Sequence, residues 1–296
     1  MISKTDNNNP SRRDFVKKSL LAGGAVIANP GTSNMSLLMK DQEMQKDDIS
    51  LAQWALVEEM REGKWKNLDF PRIAREDFGL NGIEFVNTLF EVPHVNYLNQ
   101  LKQNAKDMDV TMVLIMVDAE GDGCEPTTQL RKQFVINHQK WIDIAHYLDC
   151  HAIRTNCRGP ANVDKEEALK WASESYNMLL DYAKSSGVRV VIENHGGVSN
   201  DPDWMVRLIK EVNQPDFGTY PDWRRPTDSF NNYEYLEKTL PYALGMSYRN
   251  QPSEELTAKM IHMCKDSGYK GWYGIESSGR PAIHEGIRLL NKYLLV

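Results

Sequence analysis

Four short apolar runs in the C-terminal half of the chain each end in a polar residue. They are Val188–Glu193, Phe217–Asp222, Ala243–Ser247 and Gly271–Glu276. The polar ends lie 29, 25 and 29 residues apart. Three of them are carboxylates, Glu193, Asp222 and Glu276. Carboxylate oxygens converging on one point suit a hard divalent cation. Two acids placed together can also take a proton from carbon and return one. For each acid the alternative is a turn or helix-capping role. The fourth end, Ser247, offers a hydroxyl, a poorer ligand for a transition metal than imidazole.

Other residues could complete such a site. His195 can serve as a fourth ligand or as an acid/base, because imidazole titrates near neutral pH; a structural role is the alternative. Arg249 shares a face with Ser247 on an extended strand. It can hold an oxyanion or a sugar hydroxyl, or form a surface salt bridge. Arg154 and Asn156 share a face of an earlier strand and can reach the same pocket. Gln53, Glu84 and Asn87 are candidates from the first two strands. Trp54, Trp223 and Tyr248 can stack on a sugar ring or simply pack. The remaining histidines show no ligand spacing. Cys124, Cys150, Cys157 and Cys264 contain no CxxC pair, so they read as buried thiols rather than a zinc or redox motif.

The elements that must position these residues follow from the spacing. A step of 25–29 residues accommodates one strand, one helix and two loops. Earlier strand candidates are Ile49–Trp54, Gly82–Val86, Val110–Met116 and His151–Asn156. Val110–Met116 is almost wholly apolar, as a strand buried on both faces must be. Amphipathic helices are predicted over Val95–Asp107 and Thr128–Leu148. Another should begin after Asp164 as cap and end near Gly187. Eight strand candidates alternate with helices, and no glycine-rich fingerprint follows the first strand. The expectation is a single-domain α/β fold, a (β/α)8 TIM barrel over residues 49–296.

The N-terminus reads differently. Arg12-Arg13, with Phe15 and Lys17, precedes a Gly/Ala-rich apolar stretch from Ser19 to Ala28. This resembles a twin-arginine export signal over residues 1–30, followed by a polar linker over 31–48. The stretch is too short for a stable membrane anchor, which needs roughly 20 residues. The expected location is the periplasm. The net charge of −6 and the absence of a basic patch argue against nucleic-acid binding.

In combination, several segments carry a family resemblance. They are Ser50–Trp54, Asn137–Trp141, Ala152–Asn156, Ile192–Gly196, Gly218–Asp222 and Gly274–Glu276. From about Ile49 to its end the chain resembles the xylose isomerase-like barrel superfamily. The resemblance implies Glu, Asp, His and Glu on the last four strands, binding Mn, Mg, Co or Zn. Glu193, Asp222 and Glu276 would take the acidic places. Ser247 falls where the histidine normally stands, and Arg249 where a lysine often follows. Either a water, His195 or the substrate completes the coordination, or the metal has been lost. The implied activity is isomerisation or epimerisation of a keto-sugar through an enediolate, with Glu193 and Glu276 as paired acid and base. A lyase or hydratase acting on a keto-glycoside and a non-catalytic sugar-binding barrel are the rivals. Metal-assisted phosphodiester hydrolysis would call for more strand-end histidines. The implied partner is a small carbohydrate, and a homodimer is left open.

Overall fold

The computed structural model describes residues 48–295, apart from 225 and 228. The export-signal reading and the linker through residue 47 lie outside the described residues. Among the described residues no helix is long and apolar enough to cross a membrane.

Eight short strands form the centre: β1 (Ile49–Ala52), β2 (Gly82–Val86), β3 (Thr111–Met116), β4 (Ala152–Thr155), β5 (Arg189–Glu193), β6 (Phe217–Tyr220), β7 (Met246–Tyr248) and β8 (Tyr273–Ile275). Neighbours pair in parallel, in the order β6-β5-β4-β3-β2-β1-β8-β7. Between β6 and β7 the contact reduces to two bridges, Thr219 with Ala243 and Asp222 with Ser247. The ring is therefore nearly closed, and helices between the strands cover its outside. The expected TIM barrel is the observed fold.

The strand sequences explain this arrangement. β3 reads TMVLIM and is buried from Met112 onward, as a strand covered on both faces requires. Its outward side chains join the large core beneath the helices. A smaller cluster fills the barrel interior, with Ala52, Val86, Leu114, Met116, Ala152, Val191 and Tyr220. The helix Lys165–Ala183 starts where expected, because the Asp164 carboxylate accepts from the amides of Glu166 and Glu167 at 3.0 and 3.1 Å. Gly187 follows in a left-handed turn, φ 64°.

One expected ligand-binding residue belongs to this interior instead. Glu84 is fully buried in mid-β2, where the ladder with β3 shifts register. Ser50 Oγ donates to it at 2.7 Å, and the Tyr220 hydroxyl donates to its other oxygen. Gly274 makes room for it, since a Cβ there would lie 2.3 Å from Glu84 Oε2. Glu84 lines a cavity of about 350 Å³ with residues at or just before strand starts, such as His151, Arg189 and Trp272. This is the opposite end from the strand-end acids, so Glu84 does not line the candidate site.

Burial pushes the Glu84 carboxyl up to about 7, against the hydrogen bonds from Tyr220 and Ser50 that favour its ionised form. The sign of the consequence follows from linkage. Between the ordinary carboxyl range and about pH 7, the unfolded chain ionises first. The folded state therefore loses stability as pH rises, by up to about 1.4 kcal/mol per pH unit, and the loss ends above that range. Glu84→Gln removes this contribution. Its melting temperature should fall less between pH 5 and 8 than that of the parent chain. Parallel profiles would show that Glu84 is not a neutral buried acid.

Candidate active site

The strand-end residues converge on one end of the barrel. Glu193 closes β5, Asp222 follows β6 by two residues, and Glu276 directly follows β8. They are 2%, 7% and 6% exposed, so their charges need partners inside the protein. Each brings one oxygen within 4.8 Å of the others.

Two reciprocal asparagine contacts fix the loops that carry acids. Asn87 bonds both backbone groups of Asp118, accepting from N at 2.8 Å and donating to O at 2.9 Å. Asn194 does the same for Asp222, at 2.7 and 3.1 Å. Satisfying both backbone groups with one side-chain amide leaves each loop few alternative conformations. Asn87 thus acts by positioning. Gln53 also has a structural role, accepting from the Val86 amide at 2.7 Å and donating to Asn67.

Two arginines, the buried Arg154 and the half-buried Arg249, pair with these acids. Arg154, 1% exposed, donates from Nη1 to Asp118 Oδ1 at 2.8 Å and to Asn156 Oδ1 at 3.1 Å. Its Nε lies 3.0 Å from Glu193 Oε2, close enough for an ion pair but not aligned as a hydrogen bond. His195 Nδ1 approaches the same oxygen at 3.1 Å. Arg249 donates from Nε to Asp222 Oδ1 at 2.7 Å, while Nη2 lies 2.8 Å from Glu276 Oε1. Its Nη1 donates to the Glu276 carbonyl at 3.1 Å. The Ser247 hydroxyl donates to Glu276 Oε2.

These contacts separate the two glutamates. Burial raises the Glu193 carboxyl, but the Arg154 charge and the His195 contact outweigh it and hold it below the ordinary value. Burial pushes Glu276 up to about 8, with Asp222 and Glu193 adding repulsion that Arg249 only partly offsets. Asp222 is also raised, chiefly by burial. Asp118 is lowered, because Arg154 and Asn156 outweigh burial. The two glutamates are thus shifted in opposite directions, Glu193 toward the ionised form and Glu276 toward the protonated form.

A cleft of about 750 Å³ opens over this layer. Trp54, Asn156, His195 and Glu276 line it. Thr88, Asp118, Asp122 and Arg158 line it as well. Asp118 carries no mark in the sequence of a place in the cleft. It stands two residues beyond the apolar run of β3, the same kind of place that Asp222 holds after β6. Arg154, Glu193 and Asp222 lie just beneath the cleft, with Glu193 3.1 Å from the cleft-lining His195. Arg249 faces a second cleft of about 430 Å³, with Arg224, Asn250 and Ser277.

Other expectations need correction. Trp223 is 1% exposed and packs against Tyr248, ring centroids 5.2 Å apart. Neither ring can stack on a sugar, because the ends of β6 and β7 pack them into the core. Arg249 is not a surface salt bridge but a clamp between two buried acids. The four cysteines, by contrast, are buried free thiols, as the sequence predicts.

The span of the three acids is one that a single divalent ion could bridge. The partners of those acids tell against a resident ion. Arg249 already holds two of the three, Arg154 pairs with the third, and Ser247 turns its proton toward Glu276. As built, the site does not fit a divalent ion without displacement of a guanidinium.

No curated protein sequence matches the chain. Among solved structures, the chain resembles the apo 3-keto-D-glucoside 4-epimerase from E. coli, with TM-score 0.66 and 13% identity over 83% of this chain and 100% of that one. A D-psicose 3-epimerase with D-tagatose from Clostridium cellulolyticum H10 gives TM-score 0.65 and 16% identity over 85% and 97%. A probable 3-DHS dehydratase from Bacillus anthracis gives 0.62 and 14% over 84% and 99%. At these identities the likeness is one of fold. The family model described as xylose isomerase-like TIM barrel matches residues 73–238, more than half of the chain. With the barrel and its ring of strand-end acids already in view, that match settles the lineage: the chain belongs to the xylose isomerase-like TIM barrel family.

Proposed function

We propose that this barrel moves a proton at the carbon beside a carbonyl group of a carbohydrate, as an isomerase or epimerase does. The observation that carries the reading is the pair Glu193 and Glu276. They are buried at the ends of β5 and β8, within reach of one another, in environments that lower one carboxyl and raise the other. Environments that push two carboxyls apart assign the base and the acid. Glu193 takes the proton from carbon, and the electron pair moves onto the carbonyl oxygen as an enediolate. Glu276, on the cleft wall, gives a proton to that oxygen or to the neighbouring carbon. Asn156 and His195 face the same cleft and supply donors for hydroxyl groups. Arg154 keeps Glu193 ionised without touching the substrate.

The substrate proposed is an unphosphorylated keto-sugar or keto-glycoside. The similar structures include epimerases of such compounds. The twin-arginine segment also supports export to the periplasm, away from sugar phosphates. A lyase or hydratase is the second reading, because an enediolate can expel a β-substituent. The likeness to a probable dehydratase supports it. A substrate screen tests the proposal. Unphosphorylated ketoses and keto-glycosides should be interconverted or dehydrated. Tight binding of such sugars with no conversion of any would make the barrel a binding module. Conversion of phosphorylated sugars alone would overturn the substrate class.

A further inference from the structure

We infer that Arg249 is the resident cation of the acid triad, holding the charge position that a divalent ion would otherwise fill. Three carboxyl groups share a small, buried volume, and ionising more than one of them requires a cation among them. β7 lies between the strands that carry Asp222 and Glu276, and its next residue reaches both. Nε serves Asp222 at 2.7 Å and Nη2 serves Glu276 at 2.8 Å. The planar fork of a guanidinium fits two separate carboxylates, where a lysine would offer only a point charge. The third donor, Nη1, is fixed by the Glu276 carbonyl at 3.1 Å. Arg249 is therefore anchored to the backbone just after β8 as well as to the Glu276 carboxyl.

The residue two places earlier agrees with this. Ser247 is fully buried on the same face, and its hydroxyl donates to Glu276 instead of turning a lone pair toward a shared ion. The side chain of Arg249 remains 29% exposed. Two of its five N–H groups are not used by Asp222 or Glu276. They can meet a substrate oxygen or water from the cleft that Arg249 shares with Arg224. A metal ion entering the triad must break both carboxylate contacts and displace the guanidinium from between Asp222 and Glu276.

The inference concerns cation binding and does not depend on the proposed reaction. The test compares the full-length protein with Arg249→Gln and Arg249→Lys, using Mn²⁺ and Zn²⁺ as probes. Elemental analysis of the parent protein should find less than stoichiometric divalent metal. Calorimetric titration should show Arg249→Gln binding Mn²⁺ at least about tenfold tighter than the parent chain. Its melting temperature should rise on addition of the ion, while the parent's does not. Arg249→Lys, which keeps a positive charge, should resemble the parent. An Arg249→Gln variant that folds only with Mn²⁺ would support the inference equally. A parent protein that retains one tightly bound ion per chain would overturn it. So would equal affinity in the parent and Arg249→Gln. If Arg249→Gln folds under neither condition, parent metal content and the Arg249→Lys titration still decide. Turnover in EDTA extends the same test only once a substrate is known, so failure of the reaction reading leaves the metal result standing.

Discussion

Glu193→Gln should slow substrate proton exchange by about 10²–10⁴-fold, the usual loss when a positioned base is removed. The carboxamide keeps the size of the side chain but cannot take a proton from carbon. Arg154 retains Asp118 as a partner, so the variant should stay folded and its KM should change little. Steady-state kinetics and a thermal melt check both halves of the expectation. An unaltered kcat would remove Glu193 from the base role. The matching variant at the acid should differ in its pH profile. Glu276 acts while protonated, so parent activity should be present below about pH 8 and fall as pH rises through it. Glu276→Gln should show a lower, flat profile over that range.

Arg154→Met should destabilise the fold by about 3–5 kcal/mol, the range found when one partner of a buried ion pair is deleted. Methionine fills much of the same space but leaves Glu193, 2% exposed, without its guanidinium. Asp118 loses the same partner at 2.8 Å. Glu193 would then rise toward neutrality, so the base would be lost along with the stability. Urea denaturation measures the first effect. Adding Glu193→Gln to Arg154→Met should recover part of the loss, because the uncompensated buried charge disappears. A loss below about 1 kcal/mol, typical of exposed pairs, would show that the Arg154 cluster is hydrated rather than buried.

The barrel was legible because its signals are local and repeated. The apolar run of β3, the spacing of the strand-end acids and the Asp164 cap each follow from a few neighbouring residues. The acid triad was legible for the same reason, since a polar residue after an apolar run marks a strand end. The partners of those acids were not. Arg249 and Arg154 could each face a pocket, a surface or a carboxylate. Only the packing of β4 against β5, and of β7 between β6 and β8, selects the carboxylates. Depth along the barrel axis was hidden as well. Glu84 stands two residues before Val86 on the inward face, which places it one layer below the cleft. Trp54 and Trp223 look alike in sequence, yet one lines the cleft and the other packs on Tyr248. Asp118 is hidden in the sequence by a loop rich in acids and glycines, which masks the strand-end position it shares with Asp222.

The central claim is that Glu193 and Glu276 move a proton on a carbohydrate carbon. It is tested most directly by incubating the full-length protein with unphosphorylated ketoses and keto-glycosides in deuterated water and reading the carbon positions by NMR. The account predicts solvent deuterium at the carbon beside the carbonyl, lost in Glu193→Gln. Conversion of a substrate with no deuterium at any carbon, or equal incorporation by the Glu193→Gln variant, would contradict it.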